Sequence, residues 1–243
     1  MYRMSSVPRP IRLNSDKALH AAARGRNTAV IGCSVEAKDT YMSRVQELLE
    51  TEGVDAACEW LESGRAYCEI ASWVTGKPAP YKTIQAARGA LLSRFSLTGL
   101  GTVNEVIAAT IALLGGKQPS MNAGSYDLAL GSTNAEVKSA YRDEHTNKRG
   151  AQIAIDQRQL KGNGTFIVSV TLGDKKADNG VAEMGWIIVP ARVMRNFVKK
   201  HHGHQLEGRR AIVVPIESAP AIKRFKKYLH TSATSAAQAI SSL

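Results

Sequence analysis

The chain has 243 residues, 44% of them hydrophobic and 22% charged, which is enough to bury one generous core and too ordinary a composition for a fibrous or disordered protein. A formal net charge of +11 points to a polyanionic partner, nucleic acid ahead of a membrane surface, and the excess is concentrated in residues 191–243, with ten Lys or Arg against two acids. Cys33, Cys58 and Cys68 are odd in number and lack metal-ligand spacing, which fits a reducing, cytoplasmic setting. The longest apolar run, "VIAATIALL" at 106–114, is short for a bilayer span, so no membrane partner is expected.

In chain order, residues 1–30 read as a basic flexible tail, with five arginines, one lysine and one acid in the first 26. Residues 31–98 read as a helical domain. Residues 39–63 give two short helices broken at Gly53. A third helix carries Ile70, Ala71, Trp73 and Val74 on its buried side, the chain breaks at Gly76–Pro80, and a fourth carries Ile84, Ala87, Leu91 and Leu92. From about residue 99 the texture becomes mixed. A helix at 103–115 precedes strand-like "SYDLAL" and "NAEVKSA" and a helix at 150–160. Strands at 165–172, 185–189 and 210–216 follow, rich in β-branched residues, with a helix from Ala191 to Lys200 between the last two. A basic helix "SAPAIKRFKKYLH" closes this α/β domain (99–230), and residues 231–243 read as a loose end.

The third and fourth helices resemble a helix-turn-helix, with Glu69-Ile70-Ala71 before the turn and Thr83-Ile84 opening the second helix. In that arrangement the second helix presents Lys82, Gln85, Arg88 and Arg94, residue types that read bases and hold phosphates.

The chemistry concentrates in "GSYDLALGSTNAEVKSAYRD", residues 124–143. With a two-residue turn at Gly131-Ser132, residues whose numbers sum to 263 lie opposite one another, and Asp127 falls opposite Glu136 with Cβ atoms about 5 Å apart. Gly first in the loop suits a type II′ turn. Strand periodicity puts Glu136 and Lys138 on one face. Two opposed carboxylates destabilise a sheet unless a positive charge lies between them. A divalent cation answers that need. Asp127, Glu136 and the backbone carbonyl of Val137 form a hard-oxygen set suited to Mg²⁺, with Lys138 beside it to orient a water and to balance charge growing on a phosphate.

This stretch resembles the PD-(D/E)XK nuclease superfamily, with Asp127 and Glu136-Val137-Lys138 in the motif positions and Tyr126 where proline is common. The bare text pattern also occurs at Asp16 with Glu36-Ala-Lys38 and at Asp156 with Asp174-Lys-Lys176. Only the Asp127 instance has strand, turn and strand, an apolar helix before it, and helix and strand after it. The resemblance implies a restriction-endonuclease-like mixed sheet flanked by helices over roughly residues 99–200. It implies a Mg²⁺-dependent endonuclease, most simply a site-specific restriction-type enzyme cutting double-stranded DNA as a homodimer, with no cofactor beyond the metal. A junction or repair nuclease would use the same site. A non-catalytic DNA-binding regulator and an RNA substrate are the rival classes.

The resemblance also draws in Glu105, in the place of an upstream helix glutamate that approaches the metal. Against it, Thr102-Val103-Asn104-Glu105 reads as a helix capping box. Arg142, Lys148 and Arg149 follow the ExK strand as candidate phosphate contacts, and Gln152 and Gln157 as polar residues on the next helix. His201, His202 and His204 read as a solvent loop rather than a zinc site.

Overall fold

The structure, a computed structural model, describes residues 31–121, 126–141, 151–206 and 211–243, and is of the α/β class. Among these residues there are six α-helices: α1 (Val35–Glu62), α2 (Arg65–Thr75), α3 (Ile84–Leu114), α4 (Ala191–His202), α5 (Ala219–Phe225) and α6 (Ala233–Ser241). The strands are β1 (Pro119–Met121), β2 (Leu128–Leu130), β3 (Thr133–Ala140), β4 (Gln152–Asp156), β5 (Thr165–Lys176), β6 (Ala182–Pro190), β7 (Ala211–Pro215) and β8 (Leu229–His230). Six form a mixed sheet in the order β1-β2-β3-β5-β6-β8, and β4 and β7 form a separate two-stranded sheet. Within the large sheet only β3 and β5 run parallel.

The central strands are covered on both faces, which is why "TFIVSV" and "GWIIV" read as near-continuous apolar runs. Ile167, Trp186 and Ile188 point to one side, into a core shared with α1, α2, α3 and α6. Phe166, Val168, Ile187 and Val189 point to the other, packing with α4, α5 and the β4–β7 pair. On β3, Ala135 and Val137 take the first side and Ala140 the second. By the same alternation Glu136 and Lys138 face the second side.

The N-terminal helices follow the sequence reading closely. α1 is kinked at Gly53 (φ 87°, ψ 176°), α2 ends on Gly76 in the left-handed conformation, and Thr83 caps α3 by accepting from the Ala86 N–H. The helix expected at 103–115 is the second part of α3, which is continuous from Ile84 except for a kink at Ser96 (φ 58°, ψ −149°). By length and composition α3 is able to cross a membrane, and 67% of its most apolar window is buried inside the protein. The boundary expected at residue 99 therefore falls inside a helix, and one apolar core runs from Tyr41 through the sheet to Ile240.

Two segments differ in type from the sequence reading. The described residues of the expected helix at 150–160 do not form one: Gln152–Asp156 is a strand paired antiparallel with β7, followed by a 3₁₀ turn at Gln159–Lys161. Ile153 and Ile155 are buried and Ala154 is exposed, a period of two that a short run hides among helix-compatible residues. The C-terminus is not loose: Ala233, Ala236, Ala237 and Ile240 form the buried face of α6, at helical spacings of three, one and three. Ser232 caps this helix by accepting from the Ser235 N–H, and Glu62 at the end of α1 accepts from the Ala233 N–H at 2.6 Å. A Cβ on Gly115 would lie 2.5 Å from the Ala237 carbonyl oxygen, so glycine at the end of α3 is what lets α6 dock. The basic segment before it is a seven-residue α5, a 3₁₀ turn and the short β8, which joins the sheet edge.

Candidate active site

The hairpin has the expected register. Leu128 pairs with Ala135, Ala129 with Asn134 and Leu130 with Thr133 around a Gly131-Ser132 turn. Gly131 has φ +70°, and Ser132 is not among the positive-φ residues, the type II′ pattern in which only glycine fits the first loop position without strain. The ladder stops one residue short of Asp127, which lies opposite Glu136 in register. The Asp127 carboxylate replaces the missing ladder bond: its Oδ2 accepts from the Val137 N–H at 2.7 Å. A strand residue directs its N–H and C=O toward the same neighbour. The Val137 carbonyl therefore faces the edge that Asp127 closes, where no described strand pairs with β3 beyond Ala135.

Glu136 is only 3% exposed. Its Oε2 accepts from Gln159 Nε2 at 2.5 Å and lies 3.5 Å from Lys138 Nζ. Burial pushes its carboxyl up to about 7. Lys138 opposes the shift, and the neighbouring Asp127 adds to it. A carboxyl so placed is poised to lose its proton near neutrality when a cation arrives.

Glu105 joins the cluster from α3. It is not part of a capping box, because the helix already runs from well before Thr102, whose Oγ1 donates to the Thr98 carbonyl at 3.2 Å. Instead its carboxylate pairs with Lys38 of α1, and both side chains are almost fully buried. Burial raises the Glu105 carboxyl, Lys38 pulls it back, Asp127 pushes it up and Lys138 lowers it. Glu105 therefore lies within electrostatic reach of the hairpin site while its direct partner is Lys38. The structure thus brings Asp127, Glu136, Lys138 and Glu105 into one neighbourhood.

Two of its members escaped the sequence reading. Lys38 sat in a decoy copy of the motif, and contact across 67 residues leaves no local signal. Gln159 lies inside the segment expected as a helix, where the structure instead has the 3₁₀ turn after β4. Its Oε1 accepts from the Asp156 N–H at 3.0 Å while its Nε2 donates to Glu136, so both ends of the amide are fixed. The glutamines singled out earlier are elsewhere: Gln152 opens β4, and Gln157 donates to the Leu206 carbonyl at 2.7 Å.

Among the described residues no three His, Cys, Asp or Glu side chains are grouped to hold a metal ion. Asp127 and Glu136 act electrostatically on one another, and the Val137 carbonyl faces the edge that Asp127 closes. Two carboxylates and a backbone carbonyl are donor types that suit a hard divalent cation keeping several waters. His201 packs on Phe197 at 4.8 Å between ring centroids, and the three histidines form no such group.

The expected DNA-contacting residues divide. Lys82 and Gln85 are exposed at the start of α3. Arg88 is half-buried with its guanidinium 5.1 Å over the Tyr141 ring, and Arg94 donates to the Thr75 carbonyl. Both arginines are thereby engaged in holding α3 against its surroundings. Arg142, Lys148 and Arg149 lie outside the described residues.

Comparison with protein-family models, curated proteins and solved structures finds no match to this chain.

Proposed function

We propose that the chain is a Mg²⁺-dependent deoxyribonuclease of PD-(D/E)XK type, hydrolysing a phosphodiester of duplex DNA at Asp127, Glu136 and Lys138. The observation that carries this reading is the meeting of two repelling carboxylates and a lysine at the open end of the β2–β3 hairpin, with Glu136 pushed up to about 7. The order of elements supports it: an apolar helix (α3), the hairpin, and a strand (β5) parallel to β3. The described part of the connection between β3 and β5 departs from the family pattern described above, carrying β4 and a 3₁₀ turn rather than a helix.

In this mechanism Asp127, Glu136 and the Val137 carbonyl hold the cation. When bound, a divalent cation supplies positive charge for the scissile phosphate and makes water a better nucleophile near neutral pH. Lys138 stands beside Glu136, where its ammonium orients the attacking water and offsets charge accumulating on the phosphate in the transition state. Gln159 fixes the Glu136 carboxylate, and Val137 fixes Asp127, so neither needs to reorganise during the reaction. Glu105, held by Lys38, is within electrostatic reach of Asp127 and Lys138. Restriction-type cutting by a homodimer is the simplest biology for such a site, one active centre serving each strand.

The test is incubation with long mixed-sequence duplex DNA in Mg²⁺ and in EDTA. Metal-dependent fragments are expected. DNA left intact in both, with linear and branched substrates alike, would shift the function to a non-catalytic DNA-binding regulator.

A further inference from the structure

The basic excess is not spread evenly over the described surface. A groove of about 700 Å³ between α1 and the β5–β6 region is lined by five acids, Asp55, Glu59, Glu62, Asp178 and Glu183, against two cations, Arg65 and Lys176. On α4 the character reverses. One groove of about 340 Å³ brings together Lys161 and Lys199, and a second of about 700 Å³ brings together Lys200, His201, Lys223 and Arg224. No described aspartate or glutamate lines either groove. Lys199 and Lys200, consecutive in the last turn of α4, line one groove each. Lys161, Lys199, Lys200, Lys223 and Arg224 are all exposed.

The position of this basic track matters as much as its sign. Lys161 closes the same 3₁₀ turn as Gln159, the residue that donates to Glu136. Arg195 of α4 fastens that turn to the helix, donating to the Leu160 and Gly162 carbonyls at 2.6 and 2.7 Å. Glu136 and Lys138 face the side of the sheet on which α4 packs. The basic residues therefore reach from the turn that carries Gln159, past the C-terminal end of α4, to α5. Helix dipoles favour cations in the last turns of α4 and α5, but they do not account for Lys161 or for the lack of acids across both grooves.

We infer that this track, Lys161–Lys199–Lys200–Lys223–Arg224, is the principal binding surface for the duplex DNA phosphate backbone. The helix-turn-helix-like face of α2 and α3, which spends Arg88 and Arg94 on the fold, is secondary. The inference rests on the nucleic-acid half of the proposed function and is independent of its chemistry.

The experiment is duplex binding by the full-length protein in EDTA, where no cutting intervenes, followed by fluorescence anisotropy over a range of salt. Lys200→Ala/Lys223→Ala/Arg224→Ala is expected to weaken binding about 10- to 100-fold at moderate salt and to lower the log–log salt slope by about 2–3. Lys200→Arg/Lys223→Arg should bind like the wild type. Lys82→Ala/Gln85→Ala should weaken binding by less than about 10-fold and lower the slope by no more than about 1. Thermal melts check that the variants fold. A folded triple-alanine variant with wild-type affinity and slope overturns the inference, as does a larger loss from the α3 variant or binding confined to RNA duplex. Loss of binding in the triple variant, with a wild type that never cuts DNA, would sustain the surface and remove the nuclease reading.

Discussion

Glu136 is 3% exposed, yet its carboxylate meets Gln159 and Lys138 on one side and the repelling charge of Asp127 on the other. Its carboxyl, raised from 4.5 to about 7, binds a proton more tightly in the folded protein than in the unfolded chain. Folded stability in EDTA should therefore fall as pH rises from about 4.5 through about 7, and Glu105, shifted the same way, adds to the slope. Glu136→Gln removes the buried charge and keeps an acceptor for Gln159. It should flatten this pH dependence and stabilise the metal-free protein at pH 8 by about 1–2 kcal/mol, while abolishing cleavage. Thermal melts of the two proteins across pH check this, and parallel curves would contradict it. At this scale the sequence carried much of the site. The two-residue turn and the period of two were enough to oppose Asp127 and Glu136 and to align Lys138. Lys38 was hidden because its partner, Glu105, is distant in the chain.

Local patterning was most legible where punctuation is strong. Gly53, Gly76 and Thr83 mark helix breaks and caps in the sequence and perform those roles in the structure. It failed where a residue type is compatible with two states. "QIAID" becomes a strand because β7 offers Ile212 and Val214 opposite Ile155 and Ile153, a partner about 60 residues away that local reading does not see. α6 was missed because alanine and serine look like a disordered tail, whereas Ala233, Ala236 and Ala237 are the small residues that let a helix lie close to α3. Ile240 is fully buried there, and Ile240→Ala should cost about 2–4 kcal/mol by urea denaturation. A loss near zero would mean that α6 is not docked. Ser96, the one described non-glycine residue with positive φ, kinks α3 at an exposed position. Ser96→Gly should relieve that strain and raise the denaturation midpoint, a gain of about 1 kcal/mol, whereas destabilisation would show that the serine side chain matters to the kink.

Across the whole molecule, the boundary expected at residue 99 falls inside α3, and the N-terminal helices share their core with the sheet. They form one wall of a common core and deliver Lys38 to Glu105, and Arg88 and Arg94 hold α3 in place. The opposite face of the sheet carries Glu136, Lys138, the Gln159 turn and α4, with basic grooves that lack described acids. Charge composition indicated a polyanion, but its sign on each face depended on the fold that brought residues 161, 199 and 223 together. The central claim concerns Lys138, whose ammonium lies 3.5 Å from Glu136 and acts electrostatically on Glu105. The most direct test is single-turnover cleavage of duplex DNA in Mg²⁺ by the wild type and Lys138→Ala, with binding measured in EDTA alongside. The account predicts unchanged affinity and a cleavage rate lower by about 10²-fold or more for the variant. Cleavage by Lys138→Ala at the wild-type rate would contradict it.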